Sequence, residues 1–249
     1  MPKPRRSLAM ALTVAGLPAT LAGGALAASQ GDEEVRPVRP LALHATAPVT
    51  KQATAEALRA LAWRPPPASE DRSRAIGRPN DGRLRDGLLL PAQGRDFLTF
   101  DPILERAPSR AWRRYATGRL LRVVYGALRD YREANPEAPR VLVGDLSRSG
   151  GGWFGRQYGG LGHASHQNGL DIDLYYPRRD GRRGKPSRAS QVDRRLAQEL
   201  VDAFLARPQV QYAFVGLNVG LTGAAGRVQR IPHHDDHVHI RVLGTRRGT

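Results

Sequence analysis

Six of the seven histidines of this 249-residue chain crowd into two short segments. The first, residues 162–173, reads GHASHQNGLDID, and the second, residues 233–241, reads HHDDHVHIR. Any fold this chain adopts has to bring those segments together. Imidazole is the commonest metal ligand and the side chain best suited to proton transfer near neutral pH. His and Asp at this density are not core filling, because buried polar groups cost free energy unless they are satisfied. Side chains two apart on a strand share a face. His237 and His239 therefore project together, with Val238 turned inward, and Asp171 and Asp173 do the same on their own strand. Gly169 lets the loop between His166 and Asp173 bend. Setting the two strands side by side converges His166, Asp173 and one of His237 and His239. Two imidazoles and a carboxylate leave a fourth zinc position open for water, as in catalytic rather than structural zinc sites. Zinc would bring that water's pKa toward neutrality, and a neighbouring free histidine would take and return the proton. Alone, His-x-His or Asp-x-Asp is a weak signal; together the two segments predict a metal site. His233 is expected to face solvent, and His44, far upstream, carries no site argument.

Composition narrows the setting. The chain has no cysteine, which removes disulfides, thiolate metal ligands and cysteine nucleophiles, so any zinc must use His, Asp or Glu. Residues 1–28 begin with Lys3, Arg5 and Arg6 and run through an apolar stretch to Ala25-Leu26-Ala27-Ala28. That pattern predicts an exported protein whose signal peptide is cleaved, leaving no stable membrane anchor. Removing those three cations lowers the formal charge from +16 to +13, which favours an anionic partner such as a cell-wall polymer. The basic residues are scattered and accompany no nucleic-acid-binding motif, so no nucleic-acid partner is expected.

Residues 29–85 are rich in Pro, Ala and charge and read as a poorly ordered linker, with one domain expected over 86–249. Apolar spacing predicts a helix over 111–133, ended by Asn135-Pro136. A buried strand is expected over 140–146, running into a Ser/Gly-rich loop at 147–152. Asp171 to Tyr175 alternates like a half-buried strand. Ser190 and Asp193 form a helix-opening box before a second helix that ends near Arg207-Pro208. Further strands are expected at 210–215 and 237–242. The fold class predicted is α+β: a single domain with a small antiparallel sheet carrying the zinc site, flanked by helices.

The two motifs also carry a family likeness. GHASHQNGLDID at 162–173, with His-x-x-His-x-His at 234–239, closely resembles the penicillin-insensitive murein endopeptidases. These belong to a wider group of lysostaphin-like and D-alanyl-D-alanine-cleaving zinc peptidases. Val141 to Gly152 (VLVGDLSRSGGG) and Gln209 to Val215 (QVQYAFV) resemble further family segments, and Leu88 to Phe100 does so more loosely. The resemblance implies one zinc per chain held by His166, Asp173 and His239. It implies His237 as the catalytic histidine, with His163 and His234 orienting substrate, stabilising the oxyanion or assisting proton transfer. Asp171 would sit behind the ligands, and Ser165 and Gln167 would shape the loop. The chain departs from its relatives in lacking cysteines. It also has no histidine between 166 and 233, which speaks against the second metal that some relatives bind.

The activity implied is a periplasmic or extracellular zinc metallopeptidase. Its substrate is peptidoglycan, and zinc-activated water hydrolyses the D-alanyl–meso-diaminopimelyl cross-link. The competing expectations are a D-alanyl-D-alanine carboxypeptidase of the same group and a non-catalytic wall-binding protein. Oligomeric state is not legible in the sequence.

Overall fold

The computed structural model describes residues 61–160 and 162–244. The expected signal peptide, most of the linker and His44 lie outside the described residues. Among the described residues, no helix is long and apolar enough to cross a membrane.

Among the described residues, ten strands and two α-helices make a mixed α+β domain. The strands are β1 (Arg74–Arg78), β2 (Asp81–Arg85), β3 (Leu88–Leu89), β4 (Phe97–Thr99), β5 (Tyr115–Ala116), β6 (Val141–Val143), β7 (Asp171–Tyr175), β8 (Val210–Gly216), β9 (Val228–Ile231) and β10 (His237–Val242). The helices are α1 (Gly118–Ala134) and α2 (Arg194–Leu205). The main sheet has the order β4-β6-β7-β10-β8-β9. Its four central strands are antiparallel, as expected, but β4 pairs parallel with β6 and β9 parallel with β8. The sheet is therefore mixed. Strand β9 has no alternating apolar signal in its sequence VQRI, so periodicity does not announce it.

One face of this sheet supplies the core. Ile172, Leu174, Val238 and Ile240 pack with the apolar faces of both helices. In α1, Leu121, Val124, Leu128 and Tyr131 are all buried, as their spacing predicts. The helix begins at 118 rather than 111, because Thr117 caps it by accepting a hydrogen bond from Leu120 N–H. Residues 111–113 form a single 3₁₀ turn and 115–116 belong to β5. In α2 the cap is Asp193 itself, which accepts from Leu196 N–H, so Ser190 lies outside the helix. Strand β7 is buried on both faces rather than one. Its second face is covered by the first histidine segment, which the local alternation cannot report.

The β1–β2 hairpin falls inside the stretch expected to be linker. Leu84 and Ser73 are buried there, and upstream Trp63 packs edge-on against Phe97 at 6.4 Å. The folded body therefore begins before residue 86. The hairpin is polar in sequence because it is secured through backbone groups. Pro79 and Asn80 at its turn accept hydrogen bonds from Gln167 N–H and Gln167 Nε2–H, at 3.0 and 2.9 Å. It thus buttresses the first histidine segment, and Gln167 shapes that loop as expected.

Candidate metal centre

Strand register brings the two motifs together. In the antiparallel pair β7–β10, His239 lies opposite Asp173, His237 opposite Tyr175 and Arg241 opposite Asp171. All six share the sheet face turned away from the core, since their neighbours Ile172, Leu174, Val238 and Ile240 point inward. The loop over this face bends at Gly169, where φ is +74° and a Cβ would lie 2.8 Å from Leu84 and 3.0 Å from the Thr117 nitrogen. His166 itself takes a left-handed conformation, φ +64°, an uncommon backbone state for a residue with a side chain and one that concentrates at functional sites. It is held there by its N–H, which donates to Asp171 Oδ2 at 3.0 Å.

Three buried carboxylates meet at this site, and they are not equivalent. Asp145, just beyond β6, makes a two-pronged ion pair with Arg113 through Nε and a terminal nitrogen. Asp171 receives Arg241 Nε at 2.8 Å. Asp173, 3% exposed, has no arginine. Among the described residues, the only basic side chains within 4 Å of it are imidazoles: His166 Nε2 at 3.3 Å, His239 Nδ1 at 3.4 Å, His237 Nε2 at 3.8 Å and His163 Nδ1 at 3.8 Å. Asp173 Oδ1 and His166 Nε2 are both buried without a hydrogen-bond partner.

The His166 ring makes the point sharper. Its Nδ1 lies 2.6 Å from the Leu146 carbonyl oxygen, so Nδ1 carries the hydrogen and a neutral ring turns the Nε2 lone pair toward Asp173. A lone pair facing a carboxylate in the interior is repulsive unless a cation stands between them. A histidine that donates its other ring N–H to a backbone carbonyl is the usual arrangement of a metal ligand. The same demand appears in the titration of the ring. Burial lowers the His166 pKa, but Asp173 overrides this and raises it to about 9. Burial works to raise the Asp173 pKa, yet His166 and His237 hold it well below the usual carboxylate range. The donor set fits a metal ion: His163, His166 and Asp173 can each present an atom within 4.8 Å of the others. His239 faces the same Asp173 oxygen as His166, its ring 4.7 Å from that of His166, with Nε2 3.1 Å from Asp171 Oδ1.

The other predicted site residues are gathered around this centre. His163 Nε2 lies 2.7 Å from Asp145 Oδ2. His237 Nδ1 lies 2.6 Å from Asp236 Oδ1. Burial acts to lower the His237 pKa, but Asp173 and Asp236 together raise it. His234 stacks at 4.6 Å from His237, and burial, reinforced by that neighbour, depresses its pKa to about 4. Its Nδ1 is 2.7 Å from the Pro232 carbonyl oxygen. His233 is exposed, as expected. A cleft of about 380 Å³ opens beside His163, lined by Trp153, Gly155, Arg156 and Gln157.

Sequence reasoning misses the groups behind the histidines: Asp145 with Arg113, Asp236, and Arg241. Asp145 has a legible signal, a carboxylate following the apolar run Val141–Val143. Arg113 has none, since it sits among Arg110, Arg114 and Arg119 in a segment that reads as helix.

A comparison with protein families matches residues 75–214 to the penicillin-insensitive murein endopeptidases. The match contains the first histidine segment and stops short of the second. No curated protein matches the chain. Spanning more than half of the sequence, the match shows that this chain belongs to the penicillin-insensitive murein endopeptidase family.

Proposed function

We propose that the chain is an exported zinc endopeptidase that hydrolyses the D-alanyl–meso-diaminopimelyl cross-link of peptidoglycan. The observation that carries this reading is the buried carboxylate of Asp173, ringed by imidazoles and opposed by an unsatisfied His166 Nε2. The zinc would be held by His166 through Nε2, by Asp173 through Oδ1 and by His239 through Nδ1. His163 is the competing third nitrogen donor. It is a loop residue whose Nε2 is tied to Asp145, whereas His239 is fixed by the sheet. When bound, zinc supplies Lewis acidity, activating water and polarising the scissile carbonyl.

The chain's own residues handle the proton. Asp236 holds Nδ1 of His237, which leaves Nε2 facing the site to accept the water's proton and return it to the leaving amine. His234 stays neutral at working pH; with Nδ1–H given to Pro232, its Nε2 is an acceptor able to orient a substrate N–H. His163, braced through Nε2 by Asp145 and Arg113, sets its Nδ1 3.8 Å from Asp173 Oδ2 beside the cleft, where it would orient the substrate.

Digestion of purified muropeptides, with and without a chelator, tests the reading. The expected result is conversion of cross-linked dimers to monomers, abolished by chelation and restored by zinc. Release of free D-alanine from uncrosslinked pentapeptides, with dimers untouched, would instead establish a carboxypeptidase. No cleavage of either by metal-loaded protein would leave a wall-binding role.

A further inference from the structure

The sheet that carries the metal centre continues past β7 onto a second feature. In the register, Leu142 of β6 lies opposite Tyr175 and Leu98 of β4 opposite Leu142. Leu98 and Leu142 floor a cavity of about 700 Å³ whose walls are the 105–108 loop and the 183–187 loop. Four cations line it, Arg106, Arg140, Arg183 and Lys185, against a single acid, Glu105. Glu105 is 3.5 Å from Lys185. Among the described residues, no carboxylate lies within 4 Å of the Arg106, Arg140 or Arg183 guanidinium. Arg140 donates only to neutral oxygens, Gln93 Oε1 at 3.2 Å and the Gly94 carbonyl at 3.3 Å. Burial, with Arg183 and Arg132 as like-charged neighbours, lowers its pKa.

Arginines gathered without a counter-charge over an apolar floor make an anion site, and planar guanidinium is the group best matched to carboxylate. The cavity is joined to the metal centre by two aromatic rings. Tyr175 lies 5.8 Å from His237, and Phe100, part of the cavity lining, lies 5.3 Å from Tyr175. Four residues of extended peptide span about 13 Å, more than the two ring-to-ring steps together from His237 to Phe100 at the cavity wall. We propose that this cavity is a subsite for a carboxylate-bearing arm of the substrate peptide, with Arg140 and Arg183 as its carboxylate partners and Arg106 at its rim. The proposal rests on the reading of the chain as an endopeptidase for cross-linked wall peptides, whose diaminopimelyl residues and D-alanyl ends carry free carboxylates.

The test compares cross-linked peptide dimers with free and with amidated carboxylates, using the intact protein and the R140Q/R183Q variant. The wild type should prefer the free acid by about tenfold or more in kcat/KM, expressed in KM, and the variant should bring that ratio close to one. R106Q/R183Q, which alters only exposed side chains, should reduce the ratio in the same direction and covers the case in which loss of Arg140 disturbs folding. Equal preference in the wild type and a folded variant would overturn the proposal. Calorimetric binding of an uncleaved monomer muropeptide separates this outcome from failure of the endopeptidase reading. Amidation should weaken binding about tenfold even if no bond is cut. Tighter competition by inorganic phosphate or a glycerol-phosphate polymer than by the free-acid muropeptide would also overturn it.

Discussion

The six-stranded sheet carries two regions of opposite character. Over β7 and β10 it gathers Asp171 and Asp173, with Asp145 beside them, and arginines neutralise two of the three from behind. Beside β4 and β6 it carries Arg140, with Arg106 and Arg183 on the flanking loops, and almost no acid. The first region leaves Asp173 with imidazoles and no arginine for partners. The second has positive charges to spare. A cation in one and an anionic arm of the substrate in the other would complete both, and neither needs a change of fold to receive its ligand.

Substitutions that break the first region should have the largest effects. Asp173→Ala or His166→Ala should lower kcat/KM on cross-linked muropeptides by on the order of 10³ or more and remove the metal with it. Elemental analysis beside turnover checks both. His237→Ala should lower turnover by about 10²–10⁴ while leaving metal content intact; loss of metal in that variant would make His237 a ligand instead of the proton carrier. Asp145→Asn should destabilise the fold by about 3–5 kcal/mol in chemical unfolding, because it strands Arg113 in the interior. A loss under about 1 kcal/mol would mean that Arg113 finds another partner.

The second region is sharpened by its walls. Asp101 anchors the 101–110 loop by accepting from Ile103 N–H, Leu104 N–H and Arg110. Burial opposes ionisation there, but Arg110 and the backbone donors hold its carboxyl below its ordinary value of 3.8. A depressed carboxylate stabilises the fold above its unfolded pKa, and that contribution fades as pH falls toward the folded value. Asp101→Asn should therefore cost about 1–3 kcal/mol near neutrality and flatten the loss of stability below about pH 4. Urea titrations across that range check it. The smallest effect concerns salt. Raising ionic strength should weaken substrate binding a few-fold through the arginine cavity while metal content stays constant.

Much of the site is legible in the sequence, and the reason differs from residue to residue. Strand periodicity places His237, His239, Asp171 and Asp173 on shared faces, and the register joins them as that rule requires. The helical stripe of α1 is equally plain. What escapes depends on long-range contact. The β1–β2 hairpin is polar because its turn carbonyls serve Gln167, 87 residues away for Asn80. Strand β7 alternates like a half-exposed strand although a loop closes over it. Arg113, Asp236 and Arg241 carry no local pattern because their partners are set by the fold. The geometry of imidazoles around Asp173 likewise arises only in three dimensions.

The zinc proposed at Asp173 is held by His166, Asp173 and His239. Anomalous diffraction from crystals of the zinc-loaded protein, measured on both sides of the zinc edge, tests it most directly. The account predicts one peak bonded to His166 Nε2, Asp173 Oδ1 and His239 Nδ1, with His163 free of the metal. A peak bonded to His163 in place of His239, or no peak at Asp173, would contradict it.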